Sequence, residues 1–197
     1  MKKRNIAGVE LVGHRPPERC GPGIDAAEFD AGDFILVKGH GPRARLIEFC
    51  QKLRIHDADR KYVELMHAAL IVDRDGTLIE AVGRGVIRTS LHKYTERDYE
   101  IYRIKASHED RMQVVTFARW MEKRRVSCGP LTVVSIALTL LTGSKLAFYK
   151  EGEFVCSGLV AAALERAGYI FGRSARHTTP AELARYFDPV QPHHLAA

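Results

Sequence analysis

The hydrophobic pattern of this chain changes period three times. Residues 67 to 90, HAALIVDRDGTLIEAVGRGVIRTS, alternate short apolar runs with turn residues and make the clearest β segment. Asp75-Gly76 marks a tight hairpin between two of those runs, and Arg84-Gly85 a further turn into VIRTS. GDFILVK (32–38) and YEIYRIK (99–105) read as two more strands. Elsewhere the period is helical. GPRARLIEFCQKLRIHD predicts an amphipathic helix with Leu46, Ile47, Cys50 and Leu53 on one face. Ser107, with Asp110 three residues on, starts a helix through about Lys123. Gly129-Pro130 opens an apolar helix ending near Gly143, and Cys156 begins another whose Leu159, Val160, Ala163, Leu164 and Ala167 form a buried stripe. Thr179-Pro180-Ala181-Glu182 is a capping box with proline at the first helical position. A strand, a helix, a block of strands and then several helices predict an α+β fold, an antiparallel sheet packed against helices.

The first 31 residues break this patterning with Gly and Pro (RPPERCGPG) and predict an extended N-terminal arm; 32–190 form one domain and 191–197 a polar tail. At 197 residues the chain is long enough to bury a real core, and 46% hydrophobic with 27% charged residues excludes a disordered composition. A net charge of +6 favours acidic partners, but the basic residues are scattered apart from Lys2-Lys3-Arg4 and Lys123-Arg124-Arg125. With no zinc-finger, RNP-type or basic heptad pattern, nucleic acid is not the expected partner. MKKRN is followed by Glu10, His14 and Pro16 before any apolar segment matures, so a secretory signal is not expected. The longest apolar stretch, residues 131–141, is too short for a bilayer, which needs about 20 residues. A cytoplasmic protein is the expectation, with virion packaging or export by a non-signal route as alternatives. Oligomeric state is not legible.

Four cysteines, Cys20, Cys50, Cys128 and Cys156, lie far apart with no CxxC pair, which argues against a structural zinc site. Cys156 is different because it opens a helix. A thiol with pKa near 8.5 is only about 3% ionised at pH 7, and a helix N-terminus or an adjacent imidazolium lowers that pKa. Ser157 and Gly158 keep the first turn small, so backbone N–H groups there can face an oxyanion. Of nine histidines, His67 stands out as a polar residue heading the apolar run AALIV. Glu80 sits in equally apolar company, LIEAV, across the hairpin. A hairpin closing at 75 and 76 puts 67 opposite roughly 84 and 80 opposite roughly 71. That offset of about four residues leaves the contact open unless a bulge or twist closes it.

The series GDFILVK, MHAALIVDRDGTLIEAVGRGV, YEIYRIK, FVCSGLVAAALERAG and TTPAELARYF resembles the circularly permuted papain-like cysteine hydrolases. These are the permuted NlpC-type superfamily, with YiiX-like bacterial proteins and, more distantly, lecithin:retinol acyltransferase. The resemblance covers roughly residues 31–187. It matches Gly32-Asp33 to the Gly-Asp that opens the family's first strand, and His67, Glu80 and Cys156 to its histidine, polar residue and late cysteine. Met66, where a small hydroxylated residue often stands, and Cys128-Gly129, where an aromatic residue is usual, depart from the pattern.

The resemblance implies a circularly permuted papain-like fold and a Cys156–His67–Glu80 triad, with the Cys156 backbone N–H as oxyanion donor. The expected activity is that of a thiol hydrolase, a cysteine peptidase or amidase acting on a peptide or peptidoglycan-type amide, without metal or organic cofactor. Two alternatives stay open: an acyl hydrolase or acyltransferase of the same fold acting on a lipid ester, and a non-catalytic binding or structural module.

Overall fold

The structure, a computed structural model, describes residues 15–24, 26, 28–39, 61–83, 85–124, 156–171, 174–175 and 178–188. The predicted helices around 41–57 and 130–143, with Cys50, Cys128, His177 and the polar tail, lie outside these residues.

Six strands form one antiparallel sheet: β1 (Glu18–Cys20), β2 (Phe34–Lys38), β3 (Leu65–Ile71), β4 (Thr77–Val82), β5 (Gly85–Ser90) and β6 (Tyr99–Tyr102). Their spatial order is β1-β6-β2-β3-β4-β5. Part of the N-terminal segment is therefore the edge strand, paired with β6 through Arg19↔Glu100. Among the described residues three α-helices follow: α1 (His108–Lys123), α2 (Cys156–Leu164) and α3 (Pro180–Tyr186). The fold is α+β, as the order of patterns predicts.

Alternation sorts the strand side chains between two cores. Phe34, Leu36, Ala68, Leu70, Ile79, Ala81 and Tyr102 face the helices and pack with Val114, Ala118, Leu159 and Leu183. Ile35, Val37, Ala69, Ile71, Leu78 and Ile101 face the other way, under Leu91, Tyr94 and Phe29. The predicted caps hold. Ser107 accepts from the Asp110 N–H to start α1, and Thr179 with Glu182 closes a reciprocal capping box on α3 with Pro180 at its start. α2 departs from the predicted stripe: Ser157 through Leu164 are all buried, because β3, β4, α1 and α3 all touch this helix.

The main correction concerns the β3–β4 hairpin. It does not close tightly at 75 and 76. Val72 N–H donates to the Thr77 carbonyl, so residues 73–76 form a four-residue loop. Asp75 accepts from the Thr77 N–H at 2.8 Å, and Gly76 takes φ +82°, a conformation that costs glycine little. The register becomes Leu70↔Ile79 and Ile71↔Leu78, and the ladder stops there. Beyond it β3 stays paired with β2, through Ala68↔Leu36 and His67↔Val37. Gly85, expected in the next turn, belongs to β5 instead, where it pairs with Val82.

Gly32-Asp33 anchors the start of β2. The buried Asp33 carboxylate accepts from the Ile104 N–H, the Asp30 N–H and the Arg111 guanidinium. A Cβ on Gly32, at φ +97°, would press on Arg111 and Ile104 at 3.3 Å.

Candidate active site

The shifted register brings His67 and Glu80 together. Continuing the observed pairing sets Glu80 opposite Ala69, two residues from His67 on the adjacent strand and on the same face. Such diagonal neighbours lie within reach of long side chains. His67 Nε2 and Glu80 Oε2 are 2.5 Å apart. The offset is two residues rather than the four that a tight turn implies.

Glu80 is fully buried and receives four donors. His67 and the Tyr94 hydroxyl (2.6 Å) meet Oε2, while the Thr89 hydroxyl (2.9 Å) and the Lys93 ammonium (2.5 Å) meet Oε1. Burial alone would raise the carboxyl's pKa; the bonds from His67, Lys93 and Tyr94 overcome it and hold Glu80 well below the usual carboxylate range. Tyr94 is pushed far up, by burial first and then by its bond to that carboxylate. The carboxylate is thus anionic and fixed in orientation.

Cys156 reaches the pair from the first position of α2. Hydrogen-bond parity explains where the sulfur sits. Ile71 N–H points to β2 and donates to the Asp33 carbonyl, whereas Val72 N–H points to β4 and donates to Thr77. Ala68 shares the parity of Val72, so its N–H also points to the β4 side, where the ladder has ended. That N–H and the Ser157 N–H stabilise the sulfur as thiolate. Buried strand N–H groups need partners, and the parted strands give this one to the thiol.

The thiol and imidazole are close enough for each to shift the other's ionisation, through charge and hydrogen bonding. With Nε2 engaged by Glu80, Nδ1 is the ring nitrogen left for sulfur. Burial pulls the imidazole down, but the charge and hydrogen bond of Cys156 and those of Glu80 outweigh it, raising its pKa from 6.5 to about 9. Burial pushes the Cys156 thiol up, and the imidazolium's charge and hydrogen bond with the two backbone N–H groups bring it below its ordinary 9.0. Both shifts act in the direction of a thiolate–imidazolium pair rather than a neutral thiol and imidazole. The pair is reachable: the His67 side chain is 25% exposed and Cys156 partly so.

Behind the sulfur, the buried Ser157 hydroxyl donates to the Thr178 carbonyl at 2.6 Å, docking the first turn of α2 onto the segment before α3. Thr89, Lys93 and Tyr94 carry no sequence signal for this role. They arrive through the β5 pairing and the single-turn 3-10 helix Leu91–Tyr94, which Ser90 caps. Among the described residues no group of three or more His, Cys, Asp or Glu could hold a metal ion. No helix there is long and apolar enough to cross a membrane.

No protein-family model matches the chain, and no curated protein matches it in sequence.

Proposed function

We propose that this protein is a thiol hydrolase. The observation that carries the reading is the line of groups from the Cys156 thiol, coupled to His67, through the 2.5 Å bond of His67 to a buried, fully anchored Glu80. Within that class, the order of strands and the late cysteine fit a circularly permuted papain-like enzyme of the NlpC type acting on a peptide or peptidoglycan-type amide.

The Cys156 thiolate attacks the amide carbonyl carbon, and the carbonyl electrons move to oxygen as an oxyanion. The Cys156 backbone N–H at the start of α2 serves as a donor to that oxyanion. The His67 imidazolium gives its proton to the departing amine nitrogen, the C–N bond breaks and a thioester remains. Neutral His67 then takes a proton from water, which attacks the thioester, and the thiolate leaves with the carboxylic acid released. Glu80 stays ionised throughout, holding the ring and stabilising its charged form.

The test is a substrate panel. Wild-type protein should release amine from peptide or peptidoglycan-type amides, and Cys156→Ala should abolish it while keeping the fold by circular dichroism. Release of fatty acid from phospholipid vesicles with no cleavage of amides would point instead to acyl transfer. Undiminished amide cleavage by Cys156→Ala would rule out the thiol as nucleophile, and wild-type protein that turns over neither amides nor esters would leave a binding module.

A further inference from the structure

Glu80 is bonded to two cations at once. His67 Nε2 meets Oε2, and Lys93 Nζ meets Oε1, each at 2.5 Å. One carboxylate therefore separates an imidazolium from an ammonium. Along Cys156, His67, Glu80 and Lys93 the charges alternate in sign and cancel, whereas the first three alone carry a net negative charge. Thr89 adds a neutral hydroxyl from β5, and Tyr94 a phenol from the same turn as Lys93. Arg97 contributes a further positive field at Tyr94. These are the charged and titratable groups that face the carboxylate from β3, α2, β5 and the 3-10 turn, among the described residues. Lys93 is held in place: its ammonium also lies 5.0 Å from the centre of the Tyr94 ring, a cation–π contact. Yet its side chain is 44% exposed while Glu80 is fully buried, so solvent and salt reach the ammonium and not the carboxylate.

We propose that Lys93 is a positioning residue that shares the charge of Glu80 with His67 and so sets the upper pH limit of the thiolate–imidazolium pair. The inference rests on the thiol-hydrolase reading of the site. Its direction follows from charge alone. An ammonium one carboxylate away disfavours a second cation on the imidazole, so Lys93 holds the alkaline limit lower than Glu80 by itself would set it. Removing that ammonium leaves the whole carboxylate charge to His67, and the imidazolium persists to higher pH. Cys156 lies one group further off, so its own ionisation moves less.

The experiment is an NMR titration of the His67 ring in the folded full-length protein, assigned by its loss in His67→Ala. It is run on wild type, Lys93→Met, Lys93→Gln and Lys93→Arg. Lys93→Gln keeps a donor for Oε1 without the charge, so it separates charge from hydrogen bonding. Both neutral variants should raise the midpoint of His67 by about half a unit to one unit, and Lys93→Arg should restore it. Unchanged midpoints in both neutral variants overturn the proposal, as does an equal rise in Lys93→Arg. A check on the wild type needs no variant. Raising ionic strength from about 0.01 M to about 1 M shortens the screening length from about 30 Å to about 3 Å. The midpoint should then rise as the exposed ammonium is screened, and a salt-insensitive midpoint contradicts the role. A wild-type His67 titrating near 6.5 would instead overturn the ion pair itself, so the two failures are told apart.

Discussion

At the scale of single residues, the chemistry depends on which protons sit where. The proposed amide cleavage needs sulfur without its proton and imidazole with one. His67 is raised to about 9 and Cys156 is lowered, so the rate should rise as pH climbs through the depressed thiol value and fall again through about 9. A bell-shaped kcat/KM profile with its alkaline limb near 9 checks this; a limb near 6.5 would mean that His67 is not paired. Glu80→Gln removes the charge that supports the imidazolium, so the alkaline limb should move down. His67→Ala should lower kcat/KM by about 10²- to 10⁴-fold and slow alkylation of Cys156 at neutral pH. In wild type, a thiol reagent should mark Cys156 ahead of the buried Cys20, as mass spectrometry can read.

At the scale of elements, one turn decides whether the site exists. Residues 73–76 make a four-residue loop, and its register leaves His67 and Glu80 diagonal across β3 and β4. Gly76 holds that loop at φ +82°, a Cβ there would meet Leu91 at 3.2 Å, and its carbonyl accepts from the Leu91 N–H. Gly76→Ala should therefore cost about 1–3 kcal/mol in denaturant unfolding. It should also weaken activity, since Leu91 begins the turn that carries Lys93 and Tyr94. A variant as stable and active as wild type would show that the loop does not govern the site.

This turn also marks how far the sequence could be read. Strand alternation, the Ser107 and Thr179 caps and the thiol at a helix start were all legible, because each depends on neighbours in the chain. The pairing of His67 with Glu80 was not, because DRDG is compatible with both a two-residue and a four-residue turn, and the two differ by two positions across the ladder. Thr89, Lys93 and Tyr94 depend on a second register and a 3-10 turn, so nothing local announces them. The all-round burial of α2 likewise reflects four packing neighbours rather than its own periodicity.

At the scale of the whole molecule, helices cover one face of the sheet while the imidazole and carboxylate belong to the other, and the thiol meets them where β3 and β4 part. Holding that arrangement requires α1 and the sheet to stay in register. The Asp33–Arg111 pair does this, at 2.8 Å with the carboxylate buried. Asp33→Ala strands a largely buried guanidinium and should destabilise the fold by about 3 kcal/mol or more, read as a lower urea midpoint. At the far end of α3, Asp188 accepts from Lys61 and Tyr62, tying the helix layer to the approach to β3. Everything functional depends on whether these long-range ties deliver a charged sulfur beside a charged ring. The most direct measurement is the ultraviolet absorbance of thiolate against pH, taken as wild type minus Cys156→Ala and repeated in the His67→Ala background. The Cys156 midpoint should lie below that of an ordinary thiol and move up when His67 is removed. A midpoint at or above the ordinary value, indifferent to His67, would contradict that charged pair.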